Sequence, residues 1–223
     1  NLFSPSKAPA DAALVDAYVD LITPIAEELG VELGEPRFTD DAYAEKLALV
    51  LYDLERHRRD VVVSFVFGCP PADVIEHLQS LGAWVWITVT QVDEALEAAA
   101  AGADAVIAQG SEAGGHRGAW VDDDRPQVPT LELTAAIRSA LDDAGHTGRG
   151  DAGDPLPIVA AGGLMTGEHI AQALGAGATA ASSARRSCSR PRRARARRGG
   201  ARSRATVRRP SPARSRAVAP AGS

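Results

Sequence analysis

The sequence predicts an α/β domain in which parallel strands alternate with helices. Three observations carry that prediction. Four short apolar runs, VVVSFVF at 61–67, WVWITV at 84–89, AVIA at 105–108 and LPIVAA at 156–161, suit strands buried on both faces. Segments with apolar residues at helical spacing separate them. Three of the runs empty into loops rich in glycine or proline. Strand, helix and strand in regular succession are the signature of βαβ units and a parallel sheet.

Taken in order, Asn1–Phe3 (NLF) reads as the end of a strand followed by a Ser/Pro loop. From Asp11 to Leu29 the apolar residues Leu14, Val15, Tyr18, Leu21, Ile22, Ile25 and Leu29 recur at helical spacing. Pro24 argues for two helical pieces or a kink within that stretch. A second helix is expected over Asp40–Arg58, with Leu47, Val50, Leu51 and Leu54 facing inward. The strand Val61–Phe67 stops at Gly68-Cys69-Pro70-Pro71, a turn.

A helix over Pro71–Leu81 and a strand over Trp84–Val89 follow. Thr90 is placed to cap the helix Gln91–Ala101, with Asp93 and Glu94 in its favourable first turn. The strand Ala105–Ala108, a polar segment, a helix over Thr130–Leu141 and a flexible loop over Gly145–Pro155 come next. The strand Leu156–Ala161 then leads through Gly162-Gly163 into a helix over Thr166–Leu174. This makes four strands and a stub at Asn1, short of the eight that close a barrel.

At 223 residues the chain has room for one large or two small domains. Its net charge of −5 hides a division. Up to Ser183 there are 10 Lys+Arg against 29 Asp+Glu, a net of −19, while Ala184–Ser223 holds 14 Arg and no acid. Cys69 and Cys188 give neither a disulfide framework nor a metal-ligand spacing, so no metal is expected and a reducing cytoplasm is the natural setting. No run has the length of a membrane span.

The most informative stretch is Gly102–Gly118, GADAVIAQGSEAGGHRG. A buried strand there delivers Gln109, Gly110, Glu112, Gly114, Gly115, His116 and Arg117 to the carboxyl edge of the sheet, where α/β proteins place their ligands. Gly114 and Gly115 let a ligand approach the main chain. His116 stands beside them, and histidine is the residue type most often used for proton transfer. Alone, Gly-Gly-His is no more than a glycine-rich loop with a surface histidine; the 17-residue string is far more specific.

On NLF at 1–3, SFVFGCP at 64–70, this string and AAGGLMTG at 160–167, all in family order, residues 1–181 resemble the nitronate monooxygenase (2-nitropropane dioxygenase) family. The resemblance implies an FMN-dependent (β/α)8 TIM barrel, present here in part, with strands equivalent to the third to seventh. It also implies that Asn1 and Gln109 contact the flavin, that Gly114 and Gly115 bring backbone to it, and that Gly162 and Gly163 cradle its phosphate. The last point has independent physics, because Gly-Gly before a helix offers free N–H groups and a favourable dipole to an anion. His116 matches the family's active-site histidine.

The implied reaction is oxidation of an alkyl nitronate or nitroalkane by O2 to a carbonyl compound and nitrite. Ser64 either faces the flavin or bonds backbone within its strand; Arg117 reads as an exposed loop arginine and Cys69 as structural. Two alternatives accompany this reading. One is the related FMN-dependent enoyl-acyl-carrier-protein reductases, whose flavin loop also carries Gly-Gly-His. The other is an inactive fragment with sticky sheet edges.

The sequence departs from the family at both ends. Two strands that precede NLF in the family are absent. Where an eighth strand reading AAQLGTAFL is expected, this chain has Ala180-Ala181-Ser182-Ser183-Ala184-Arg185. Removing one C from GCC GCC CAG CTC GGC ACG G yields codons for that same hexapeptide. Residues 182–223 are therefore expected to be out-of-frame translation and disordered. The competing reading is an arginine-rich tail that binds nucleic acid by charge alone.

Overall fold

The computed structural model describes residues 1–4, 11–57, 60–121, 123–149 and 153–183, all within one compact unit spanning Asn1–Arg186. The expected arginine-rich tail lies outside the described residues, apart from Ser182 and Ser183. The elements are β1 (Leu2–Phe3), α1 (Ala12–Leu29), α2 (Tyr43–Arg56), β2 (Val61–Val66), α3 (Ala72–Ser80) and β3 (Ala83–Val89). They continue with α4 (Val92–Ala100), β4 (Ala105–Gln109), α5 (Thr130–Asp143), β5 (Ile158–Ala161), α6 (Gly167–Gly175) and β6 (Ala180–Ser182).

The six strands form one parallel sheet in the order β1-β2-β3-β4-β5-β6. Sequential order with right-handed crossovers winds the helices onto one face, which is how the wall of an α/β barrel is built. Here the wall is open between β1 and β6. One row of the register runs through Phe65, Ile87, Val106 and Ile158, all fully buried. It packs with Leu54 of α2, Ile75 and Leu78 of α3, Ala95 and Ala98 of α4, and Leu133, Ile137 and Leu141 of α5. The alternate row faces the hollow side of the wall, and there Val62 is 42% and Trp84 39% exposed.

Four differences from the sequence expectation have physical causes. A sixth strand is present: Ala180–Ser182 pairs with Val159–Ala161, so a short strand stands where none was expected. Three residues with no β-branched side chain carry almost no strand signal, and only the neighbour's free edge makes them one.

The two-piece alternative for the first helix is not taken, because α1 runs unbroken through Pro24. Thr23 Oγ1 donates to Val19 O at 2.8 Å, a side-chain bond beside the N–H that proline lacks. The cap of α4 is Gln91 rather than Thr90: Gln91 and Glu94 form a reciprocal capping box. Lastly, the loop before β5 is not wholly irregular, since Thr147 bridges Pro155. No described helix is long and apolar enough to cross a membrane.

Candidate functional site

Parallel pairing brings the strand ends into one rim. Val89, Ala108, Ala160 and Ala181 share a register row, and Gln109, Ala161 and Ser182 share the next. Beyond the rim lie Ser4, Phe67-Gly68, Thr90, the loop from Gly110 to Pro129, and Gly162-Gly163.

Gln109 is the last residue of β4, and its side chain is engaged with the loop that follows. Its Oε1 accepts from Gly118 N at 2.6 Å, and its Nε2 donates to His116 O at 3.2 Å. Gly118 is buried, and a Cβ there would stand 2.8 Å from Val66 Cγ2 and 3.0 Å from Thr88 Cγ2. Only glycine lets the loop lie this close to the sheet. Further on, Trp120 Nε1 donates to Thr88 O at 2.9 Å and Trp120 N to Glu94 Oε1 at 3.2 Å. Glu94, 3% exposed, also accepts from Thr90 N, Thr90 Oγ1 and Gln91 N. The carboxylate that caps α4 therefore also ties down the segment after His116.

His116 is exposed and meets two aromatic rings that sequence reading did not single out. Its ring centroid lies 6.3 Å from Phe3 and 6.1 Å from Phe67, which contact each other edge-on at 4.9 Å. Strand alternation would send Phe67 to the helix face with Phe65. Instead Phe67 has φ 68°, a left-handed backbone that is strained for an aromatic residue and breaks the alternation. Its ring joins Phe3 and His116 as a result. Both lie within stretches quoted for the resemblance, NLF and SFVFGCP, and membership of those strings is the signal that could have flagged them.

A second hub lies on the other side of the loop. Glu112 Oε2 accepts from Thr130 N and Thr130 Oγ1, both at 2.8 Å, which seats the loop on the first residue of α5. Thr130 Oγ1 also lies 3.0 Å from Gly162 O. Burial raises the Glu112 pKa, but hydrogen bonds from Thr130 and the backbone outweigh it and hold the carboxyl below its ordinary range. Glycines make this hub possible. A methyl at Gly110 would land on Thr130; one at Gly162 would lie 2.6 Å from Thr130 Oγ1, and one at Gly163 2.8 Å from Glu112 Cβ.

The expected site residues thus behave differently. Gln109, His116 and the Gly118 end of the loop are brought together. Gly162 (φ 123°) and Gly163 (φ 63°) sit at the same rim, where they pack against the loop just ahead of α6, a helix capped by Thr166. Gly114 and Gly115 have no atom within 4 Å of a Cβ position, so their backbone is open to a ligand. That exposed backbone, His116 and the amino end of α6 share one rim, and the N–H groups at a helix start favour an anion.

Asn1 is exposed on the β1 edge and borders a groove of about 320 Å³ with Leu49, Val50 and Asp53 of α2. Ser64 is half-buried on the hollow side of β2. Arg117 is half-buried rather than free, since its Nη1 reaches Gln127 Oε1 at 3.4 Å. Cys69 packs at the edge of the core, and burial pushes its thiol up to about 11, with Glu97 adding to the effect, as befits a structural cysteine. Among the described residues no group of His, Cys, Asp and Glu could hold a metal ion.

Known proteins resemble this chain along most of its described length. The family model for nitronate monooxygenase matches residues 1–186. A nitronate monooxygenase of Paraburkholderia phytofirmans is 37% identical over 187 residues, covering 81% of this chain and 46% of the relative. One from Pseudomonas aeruginosa is 38% identical over 182 residues, covering 81% and 48%. Among solved structures, a nitroalkane oxidase from Streptomyces ansochromogenes superposes with a TM-score of 0.66 at 39% identity, covering 81% of this chain and 47% of its own. The chain spans about half the length of the curated relatives it matches.

Proposed function

The chain belongs to the nitronate monooxygenase family, and from that premise we propose that it carries the flavin-facing wall of an enzyme that oxidises alkyl nitronates or nitroalkanes. The observation that supports this reading best is the placement of His116 beside the open Gly114-Gly115 backbone, against Phe3 and Phe67. FMN, when bound, supplies the redox chemistry that side chains lack. O2 is the proposed electron acceptor, with a carbonyl compound and nitrite as products.

The roles fall to named residues. Gly114 and Gly115 bring main chain to the ring system. The backbone N–H groups at Gly162 and Gly163, ahead of the amino end of α6, hold the phosphate. Asn1 adds a polar contact from the β1 edge. His116 binds the anionic nitronate as the imidazolium, or takes the α-proton of a neutral nitroalkane at its imidazole nitrogen. Phe3 and Phe67 flank that imidazole and offer an apolar wall to the alkyl group.

The test uses the full chain mixed with FMN, followed by visible absorbance, O2 uptake and nitrite release on adding a nitronate. Bound flavin and nitrite release support the reading, and His116→Ala is expected to lower turnover by about 10² to 10⁴-fold while flavin absorbance persists. A flavin-loaded chain that instead oxidises NADPH with an enoyl thioester, or a chain that takes up no flavin, would defeat it.

A further inference from the structure

We propose that Gln109 is the positioning residue of His116: its side-chain amide acts as an extra rung of the sheet and fixes the loop that presents the imidazole. The proposal rests on the reading of His116 as the working imidazole. It departs from the expectation that Gln109 serves the flavin directly.

The hydrogen-bond pattern carries it. The Gln109 amide gives to the His116 carbonyl and takes from the Gly118 N–H, so it straddles Arg117. In a parallel ladder a backbone residue treats its partner in that way, donating to the residue before and accepting from the residue after. The side chain of β4's last residue therefore continues the ladder one step beyond the strand. Both polar ends of the amide are engaged by the loop, each with one further N–H or lone pair to spare.

The chemistry is specific to glutamine. Glutamate keeps the length but turns an acceptor toward the His116 carbonyl, and asparagine is shorter by a methylene. Gly118 has to approach closely for the bond to form, and its Cβ position lies 3.2 Å from Gln109 Oε1. Of the loop's other anchors, Glu112 holds its start through Thr130 and Trp120 its end, and within the stretch Arg117 reaches Gln127 through its side chain. Among the described residues, no other side chain bonds the backbone of residues 113–118. That stretch contains Gly114 and Gly115, the latter at φ 80° with open space around it. Without the rung, two open glycines on one side and the Arg117 side chain on the other would carry the histidine.

The test is amide hydrogen exchange and histidine ring NMR on the full chain without added flavin, comparing wild type with Gln109→Glu and Gln109→Met. Gly118 N–H is expected to exchange slowly in wild type and about tenfold or more faster in both variants, while core amides of α3, α4 and α5 hold their rates. The His116 ring protons should lose the shifts imposed by Phe3 and Phe67, which a residue that merely stabilised the fold would leave alone. Unchanged Gly118 exchange and unchanged His116 shifts in both variants overturn the proposal. So does an unprotected Gly118 amide in wild type, a measurement that stands even if the variants do not fold. No readout involves a nitronate, so a failure here and a failure of the proposed reaction are separately visible.

Discussion

At the scale of single residues, the glycines of the rim divide into two kinds that the sequence writes identically. Gly162 and Gly163 are packed against Thr130 and Glu112, whereas Gly114 and Gly115 face open space. Gly162→Ala and Gly163→Ala are each expected to destabilise the chain by about 1 to 3 kcal/mol in urea unfolding, from overpacking and positive φ. Gly114→Ala should stay within about 0.5 kcal/mol of wild type and show its effect in flavin binding. Equal losses at all three positions would contradict this division.

Glu112 supplies a pH effect at the same scale. Its folded-state pKa lies below the ordinary 4.5. The unfolded chain therefore takes up the proton first as pH falls, and the stabilisation, complete above about 4.5, is lost as pH drops through the folded value. Glu112→Gln should flatten that part of a stability-versus-pH curve, measured by thermal melts; an unchanged acid slope would exclude the linkage.

At the scale of elements, one buried carboxylate connects two of them. Glu94 closes the capping box of α4 and also accepts from Trp120 in the loop after His116. Glu94→Ala is expected to cost about 2 to 4 kcal/mol, because several donors lose a charged acceptor together. Thermal melts measure the loss, and a change below about 0.5 kcal/mol would mean that the cap and the loop do not depend on it. The elements themselves were largely legible. The four apolar runs each contain a strand, though β2 stops before Phe67 and β5 begins after Pro157. The helix spacing of Leu47, Val50, Leu51 and Leu54 and the acidic first turn of α4 appear as read. What misled was local: Thr90 resembles a cap by residue type, yet Gln91 takes the position because Glu94 reaches back to it. β6 could not be read at all, because Ala180-Ala181-Ser182 becomes a strand only by pairing with β5.

At the scale of the whole molecule, the open wall and the codon pattern after Ala181 belong to one question. We propose that residues 182–223 are translated out of frame. Resequencing the DNA is expected to reveal, one base over, codons for a strand resembling AAQLGTAFL; no such strand in that frame would remove the proposal. By itself the sequence determined the parallel α/β class, the strand that delivers Gln109 to His116 to the carboxyl rim, and the family. These depend on periodicity and contiguous motifs, which survive in one dimension. Only the tertiary structure decided that Gln109 bonds the loop, that Phe3 and Phe67 flank His116, and that Glu112 meets Thr130 beside Gly162. Those contacts join residues from separate strands and loops, and they form because parallel pairing aligns the strand ends, which no local pattern encodes.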